Sequence, residues 1–252
     1  APSRKMRTVA VVQARMGSTR LPGKVLRPLG SRTVLGQGLA RLARAPGIDR
    51  VVVATTAAAS DDPVVAEAER NGATVVRGSE EDVLSRYALA ARESGADVVV
   101  RVTSDCPLLD GGLVGTLVAA FHAARAAGRP LDYLSNTVVR SYPRGLDAEV
   151  FTRTALERAH AEARTPSQRE HVTPFFYQNP ALFMLEQYVR MPDLSALRWT
   201  LDTPEDWDLL SRLFEAIEKR GEVFGTAAVL AVLERHPEWS ALNAGVRQKP
   251  VL

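Results

Sequence analysis

The strongest constraint on this chain is an alternation in its first half. Short, continuously apolar runs are each followed by a longer segment of helical periodicity. The strand-like runs are Thr8–Val12, Arg50–Ala54, Thr74–Val76 and Val98–Val102. The helix-like runs are Thr33–Ala45, Pro63–Asn71, Asp82–Ser94 and Gly112–Ala127. An apolar run with no polar face predicts a strand buried on both sides, the pattern of a parallel sheet between helical layers. Helix starts are marked by Asp62 before Pro63, by Ser79 with Asp82 three residues on, and by Asp110 before Gly111. Gly47, Gly72, Gly95 and Gly128 mark the ends. The expected fold class is α/β, with a mainly parallel, mixed sheet and helices on both faces. Ligands of such sheets sit at the carboxyl ends of the strands.

From Asp132 to about Met191 the pattern loosens. Strands are expected at Tyr133–Asn136, Ala148–Phe151 and Leu182–Gln187, and helices at Thr152–Ala163 and Ser167–Tyr177. Phe175, Phe176, Tyr177, Phe183 and Tyr188 read as local core, or as a dimer surface where exposed. A strand at Leu197–Leu201, helices at Pro204–Lys219 and Gly225–Arg235, and a peripheral tail from His236 complete the reading. At 252 residues the chain suits one large domain, with 132–191 as a subregion.

The net charge of +3 suits an anionic ligand. No block of Lys and Arg with interleaved aromatics points to nucleic acid. The single cysteine, Cys106, excludes an internal disulfide framework and a cysteine-rich metal site, and suggests a reducing cytoplasm. No apolar run is long enough to span a bilayer. Ala1–Arg7 is basic, but only a short strand-like run follows it, unlike a secretory signal.

The first strand opens into Gln13-Ala14-Arg15-Met16-Gly17-Ser18-Thr19-Arg20-Leu21-Pro22-Gly23-Lys24. Backbone N–H groups and cations in such a loop can surround phosphate oxygens. Ser18–Pro22 put five residues between Gly17 and Gly23, and Val25 follows Lys24, so this is not a Walker A loop. It holds no G-x-G-x-x-G either. So dense a run of arginines and glycines is an improbable plain connector, given its entropy and charge repulsion.

Two later strands end in carboxylates. Asp105 follows the fourth strand, before Cys106-Pro107. In Asp202-Thr203-Pro204-Glu205-Asp206, Thr203 reads as an N-cap, Pro204 as the first helical residue and Asp206 as the capping-box acid. That leaves Asp202 without a structural task. Singly, each Asp is as readily a turn or cap residue. Jointly they suit Mg²⁺, which takes few carboxylates plus phosphate oxygens and water. Ser79–Arg86 satisfies a helix start with no ligand, and Ser167 with Glu170 reads as a capping box. Asp147 and Glu149 alternate on one side of a strand, as a polar edge or a ligand contact. His122, His160 and His236 have no zinc spacing.

The Gln13–Lys24 loop resembles the signature loop of the sugar-acid cytidylyltransferases, closest to the branch named for the spore coat polysaccharide biosynthesis protein SpsF. Tyr142–Phe151 resembles that branch's P-x-G-L-D-x-E-V-F segment, and Arg169–Pro174 another of its segments. The resemblance implies a nucleotide-diphospho-sugar transferase fold of the GT-A, Rossmann-like type. It implies Mg²⁺-dependent transfer of CMP from CTP to a sugar acid or related small acceptor, with pyrophosphate leaving. The loop would wrap the triphosphate through Arg15, Gly17, Ser18, Arg20 and Lys24, while backbone from Ala14 would share the base contacts. Asp105 and Asp202 would hold magnesium, and Ser104 would bind the nucleotide. Arg77, Gly78 and Asp82 would lie at the base. Asn136, Asp147, Glu149 and His171 would meet the acceptor. A homodimer through 136–190 is also implied. A glycosyltransferase on the same fold would be expected to show Asp-x-Asp, where Pro107 stands here. A catalytically idle nucleotide sensor would have no need of both carboxylates.

Overall fold

The computed structural model describes residues 5–219 and 221–248; residues 1–4 of the basic N-terminal stretch lie outside them. In chain order the elements are β1 (Thr8–Gln13), β2 (Pro28–Leu29), β3 (Arg32–Thr33), α1 (Val34–Leu42), β4 (Arg50–Thr56), α2 (Asp62–Arg70), β5 (Thr74–Gly78), α3 (Val83–Ser94) and β6 (Val98–Thr103). They continue with α4 (Gly111–Ala126), β7 (Tyr133–Ser135), β8 (Glu149–Thr152), α5 (Arg153–Glu162), α6 (Pro166–His171), α7 (Pro174–Gln178), β9 (Leu185–Gln187), α8 (Pro204–Ile217) and α9 (Thr226–Arg235).

Seven strands form one sheet in the order β5-β4-β1-β6-β8-β7-β9. β5, β4, β1 and β6 are parallel, β8 runs antiparallel to both neighbours, and β9 is parallel to β7. The apolar runs behave as expected. In β1, Ala10 and Val12 face a core shared with Leu35, Leu39, Val64 and Phe121, while Val9 and Val11 face one shared with Leu84, Tyr87, Leu156 and Phe176. Residues of α1, α2 and α4 thus cover one face, and residues of α3, α5 and α7 the other. The expected mixed, mainly parallel α/β sheet is the observed one. Phe175, Phe176 and Phe183 are buried, so the aromatic cluster is chiefly core.

Five local expectations are corrected. Leu197–Leu201 is not a strand of the sheet. It is extended, with a single parallel bridge between Arg144 and Arg198. Its Trp199 and Leu201 pack into a third core with Leu146, Leu213 and Val232 instead. The helix expected at Ser167–Tyr177 is broken at Val172, whose φ of 71° cannot continue it, just before Pro174. Its capping box is Thr165 with Gln168, two residues earlier than Ser167 with Glu170. The N-cap of α2 is Asp61 rather than Asp62, and in α3 Asp82 itself caps Ser85 N while Ser79 closes the preceding turn.

Candidate active site

The carboxyl ends of the parallel strands bring the sequence's candidates to one edge. Ala14 N donates to Ala54 O and Ser104 N to Gln13 O, so both residues prolong the sheet into the loops. Beyond Ala14 the phosphate-loop candidate is held by an acid from elsewhere. Asp61, 3% exposed, accepts from Met16 N at 2.7 Å and from the Thr56 hydroxyl. Sequence reasoning passed over Asp61. The signal was the doubled Asp61-Asp62 before Pro63, of which a helix start needs only one. Ser18 Oγ accepts from Leu21 N, and Gly23 takes the left-handed conformation before a 3₁₀ turn at Lys24–Leu26. Gly17 packs beside the Arg15 side chain, which extends outward to Glu80 at 3.1 Å.

Lys24 turns inward. Its Nζ lies 2.9 Å from Asp202 Oδ1, 3.3 Å from Asp105 Oδ2 and 2.6 Å from Leu201 O. Two carboxylates that are remote in sequence therefore converge on one cation. Arg20 reaches Asp202 Oδ2 at 3.4 Å. Burial pulls the Lys24 pKa down, but Asp105 and Asp202 outweigh it and hold the ammonium above the usual lysine value. Burial likewise pushes Asp202 up, and Lys24, Arg20 and Arg198 reverse it, leaving the carboxyl below its ordinary value.

The two aspartate turns are knitted together. Thr103 Oγ1 donates to Asp105 Oδ1 at 2.6 Å, while Asp105 O accepts from Leu201 N and the Thr200 hydroxyl. Behind them Arg198 donates to Asp202 at 3.0 Å and to both Asp206 oxygens at 2.8 and 3.0 Å. Asp206 is fully buried, forms the expected capping box with Thr203 and also accepts from Asp202 N. Arg198 is the second residue that sequence reasoning missed; the cue was a lone charge inside an apolar extended run. Cys106 is buried beside these turns.

The remaining candidates are placed as follows. Arg77 ties the ends of β4 and β5 to α2 through Thr56 O, Ala58 O and Asp62, and Gly78 packs against Arg86. Asp82 caps α3 and pairs with Arg169. Asn136, 1% exposed, bridges Leu146 O and Ala148 N. Glu149 is no polar edge: at 3% exposure it accepts from Arg101 at 2.5 Å and from the Tyr133 hydroxyl at 2.5 Å. Asp147 lies before β8, partly exposed, in a two-pronged pair with Arg140 at 2.7 and 2.8 Å. His171 is partly buried, and that burial, aided by Arg101, lowers its pKa.

The donor set suits magnesium, because two hard carboxylate oxygens share one cation position and few other acids compete for it. Among the described residues no group of three or more His, Cys, Asp and Glu is placed to hold a metal ion, and no helix is long and apolar enough to cross a membrane. A cavity of about 750 Å³ at the opposite end of the sheet, lined by Met6, Asp97 and Phe183 among others, contains none of these residues.

A family profile described as cytidylyltransferase matches residues 9–231. The spore coat polysaccharide biosynthesis protein SpsF of Bacillus subtilis is 33% identical over 236 residues, spanning 90% of this chain and 94% of that protein. A 3-deoxy-manno-octulosonate cytidylyltransferase of Anaeromyxobacter sp. is 32% identical over 244 residues, spanning 84% of this chain and 98% of that one. A solved cytidylyltransferase from Leptospira borgpetersenii superposes with a TM-score of 0.87 at 34% identity, over 97% of this chain and 100% of that structure.

Proposed function

The chain belongs to the cytidylyltransferase family, and from that premise we propose that it moves the CMP group of CTP onto an oxygen of a small acceptor, releasing pyrophosphate, with Mg²⁺ held by Asp105 and Asp202. The observation that supports this most directly is the convergence of those two carboxylates on a single ammonium. Bound there, magnesium would supply Lewis-acid charge to phosphate oxygens. The protein's own groups account for the rest. Arg15, Arg20 and Lys24, with the N–H groups of Gly17 and Ser18, neutralise and orient the triphosphate, which makes pyrophosphate a better leaving group. Lys24 keeps the two carboxylates paired in the ligand-free state and gains phosphate partners when the nucleotide arrives. Asp61 fixes the loop so that its N–H groups are preorganised. Ser104, Ala14, Arg77, Gly78 and Asp82 frame the base side.

No covalent enzyme intermediate is required. The acceptor oxygen attacks the α-phosphorus, its bond to phosphorus forms, and the bond to the β-phosphate oxygen breaks. A carboxylate or phosphonate oxygen needs little deprotonation. We assign acceptor contact to Asp147 and His171, and a supporting role beneath them to Asn136 and Glu149. A second copy of the chain is assigned to the β9 edge of the sheet. There Val138, Val139, Val189 and Met191 are exposed large apolar residues. Sedimentation tests that pairing.

The test of the reaction is pyrophosphate release with CTP, UTP, ATP and GTP against a panel of sugar acids, sugars and phosphonates. Turnover confined to UTP or ATP overturns the cytidylyl assignment.

A further inference from the structure

Arg101 is braced by three neighbours. It pairs with Glu149, which also accepts from the Tyr133 hydroxyl. Its guanidinium lies over the Tyr87 ring at 5.9 Å, and its Nη2 donates to Gln13 Oε1 at 3.1 Å. A guanidinium has donors only, so the Gln13 atom that faces it is the amide oxygen, and the NH2 group is turned away. Gln13 is partly exposed, and among the described residues nothing accepts from that NH2 group. The sheet defines where it stands. Gln13 is the last residue of β1, in register with Thr103, the last of β6. Val9, Val11 and Val99 lie in the core on the α3 side, so strand alternation turns Gln13, Arg101 and Thr103 to that same side. Neighbouring strands run about 5 Å apart. Gln13 is therefore beside Thr103, whose hydroxyl donates to Asp105 Oδ1 at 2.6 Å.

The other oxygen of Asp105 faces Lys24. Next to Lys24, Val25 packs into the core on the opposite side of the sheet, and Leu21 packs into the third core. The cation assigned to the triphosphate and the unpaired amide of Gln13 thus approach Asp105 from different sides. In-line displacement also puts the leaving and attacking oxygens on opposite sides of the phosphorus. We infer that Gln13 donates its side-chain N–H groups to an oxygen of the acceptor next to the oxygen that attacks, and that Arg101 is the residue positioning it. This rests on the cytidylyltransferase reading of the site. The electrostatics of His171 agree: burial, and after it the charge of Arg101, lowers its pKa, so this histidine and the amide flank one guanidinium. An NH2 donor of this kind suits an acceptor with two neighbouring oxygens, as in a carboxylate, a phosphonate or a vicinal diol.

The experiment uses the full chain in wild-type, Gln13→Glu and Gln13→Met forms. The acceptor probe is whichever of 3-deoxy-manno-octulosonate, gluconate, sorbitol and methylphosphonate gives the fastest pyrophosphate release with CTP. Gln13→Glu keeps an oxygen for Arg101 but removes both donors, whereas Gln13→Met removes the oxygen as well. Both are expected to raise acceptor KM about tenfold, the worth of one hydrogen bond. The calorimetric CTP Kd of Gln13→Met stays at the wild-type value. A residue that merely braced Arg101 would leave acceptor KM unchanged in Gln13→Glu, and that result overturns the inference. A second reading needs no variant enzyme to turn over. In wild-type protein labelled with ¹⁵N-glutamine, the side-chain NH2 signals missing from Gln13→Glu are those of Gln13. They are expected to shift when the acceptor probe is added to protein already saturated with CTP. Signals that move with CTP alone and not with the acceptor assign the amide to the nucleotide and overturn the inference too. Absence of pyrophosphate release from CTP with every probe, together with no CTP binding by the wild type, overturns the parent reading instead.

Discussion

Two carboxylates, Asp202 and Glu149, meet opposite fates. Asp202 shares its oxygens among Lys24, Arg20 and Arg198, and Lys24 is shared in turn with Asp105. Glu149 is committed to a largely buried Arg101 and to the Tyr133 hydroxyl. The first arrangement is a set of charges around a replaceable cation. The second is a closed pair. Closed pairs resist the loss of either member, because a buried charge left alone is costly. Shared sets tolerate exchange of one cation for another, which a binding site requires.

The largest test of this contrast is Arg101→Leu. Breaking the closed pair should cost about 3–5 kcal/mol of unfolding free energy, measured by urea denaturation. A loss comparable to that of a surface substitution would erase the distinction. Next, Asp105→Asn and Asp202→Asn should each lower kcat for pyrophosphate release by about 10² or more, by analogy with removing one preorganised electrostatic group. Normal turnover in Asp105→Asn would remove it from the reaction centre. Asp61→Asn stands between the two classes, since it is buried yet serves the loop. Weakening its bond to Met16 N should raise the CTP Kd several-fold, in keeping with about 1 kcal/mol for a hydrogen bond. A calorimetric Kd equal to wild type would show that the loop holds itself.

The smallest effect concerns His171. Its pKa is depressed in the folded state, so the unfolded chain binds the proton more readily. Stability is then full above the ordinary histidine pKa of ~6.5 and falls as pH drops through that value towards the folded one. His171→Gln should flatten that slope in melting temperature between neutral and mildly acid pH. An unchanged slope would assign it to other groups.

The alternation of apolar runs and helices was legible because burial on both faces leaves strands no polar residues to vary. β1, β4, β5 and β6 accordingly fell where expected. Leu197–Leu201 was misread for the same reason. Its apolar residues do pack, but into the third core rather than onto a strand neighbour, and composition does not distinguish the two burials. The helix around Ser167–Tyr177 failed at Val172, whose left-handed φ is set by its surroundings and not by its own preference. Arg198 and Asp61 escaped notice because each acts on a residue that is distant in sequence or outside its own motif.

The sequence by itself determined the sheet, the phosphate-loop candidate and the two aspartates, since each is carried by local pattern: apolar periodicity, glycine spacing, and an acid left over once a cap is assigned. Only the tertiary structure decided that Lys24 sits between those aspartates and that Glu149 is sealed against Arg101. Charges act through space, and their pairing depends on which loops the fold brings together, a quantity no local window of sequence contains.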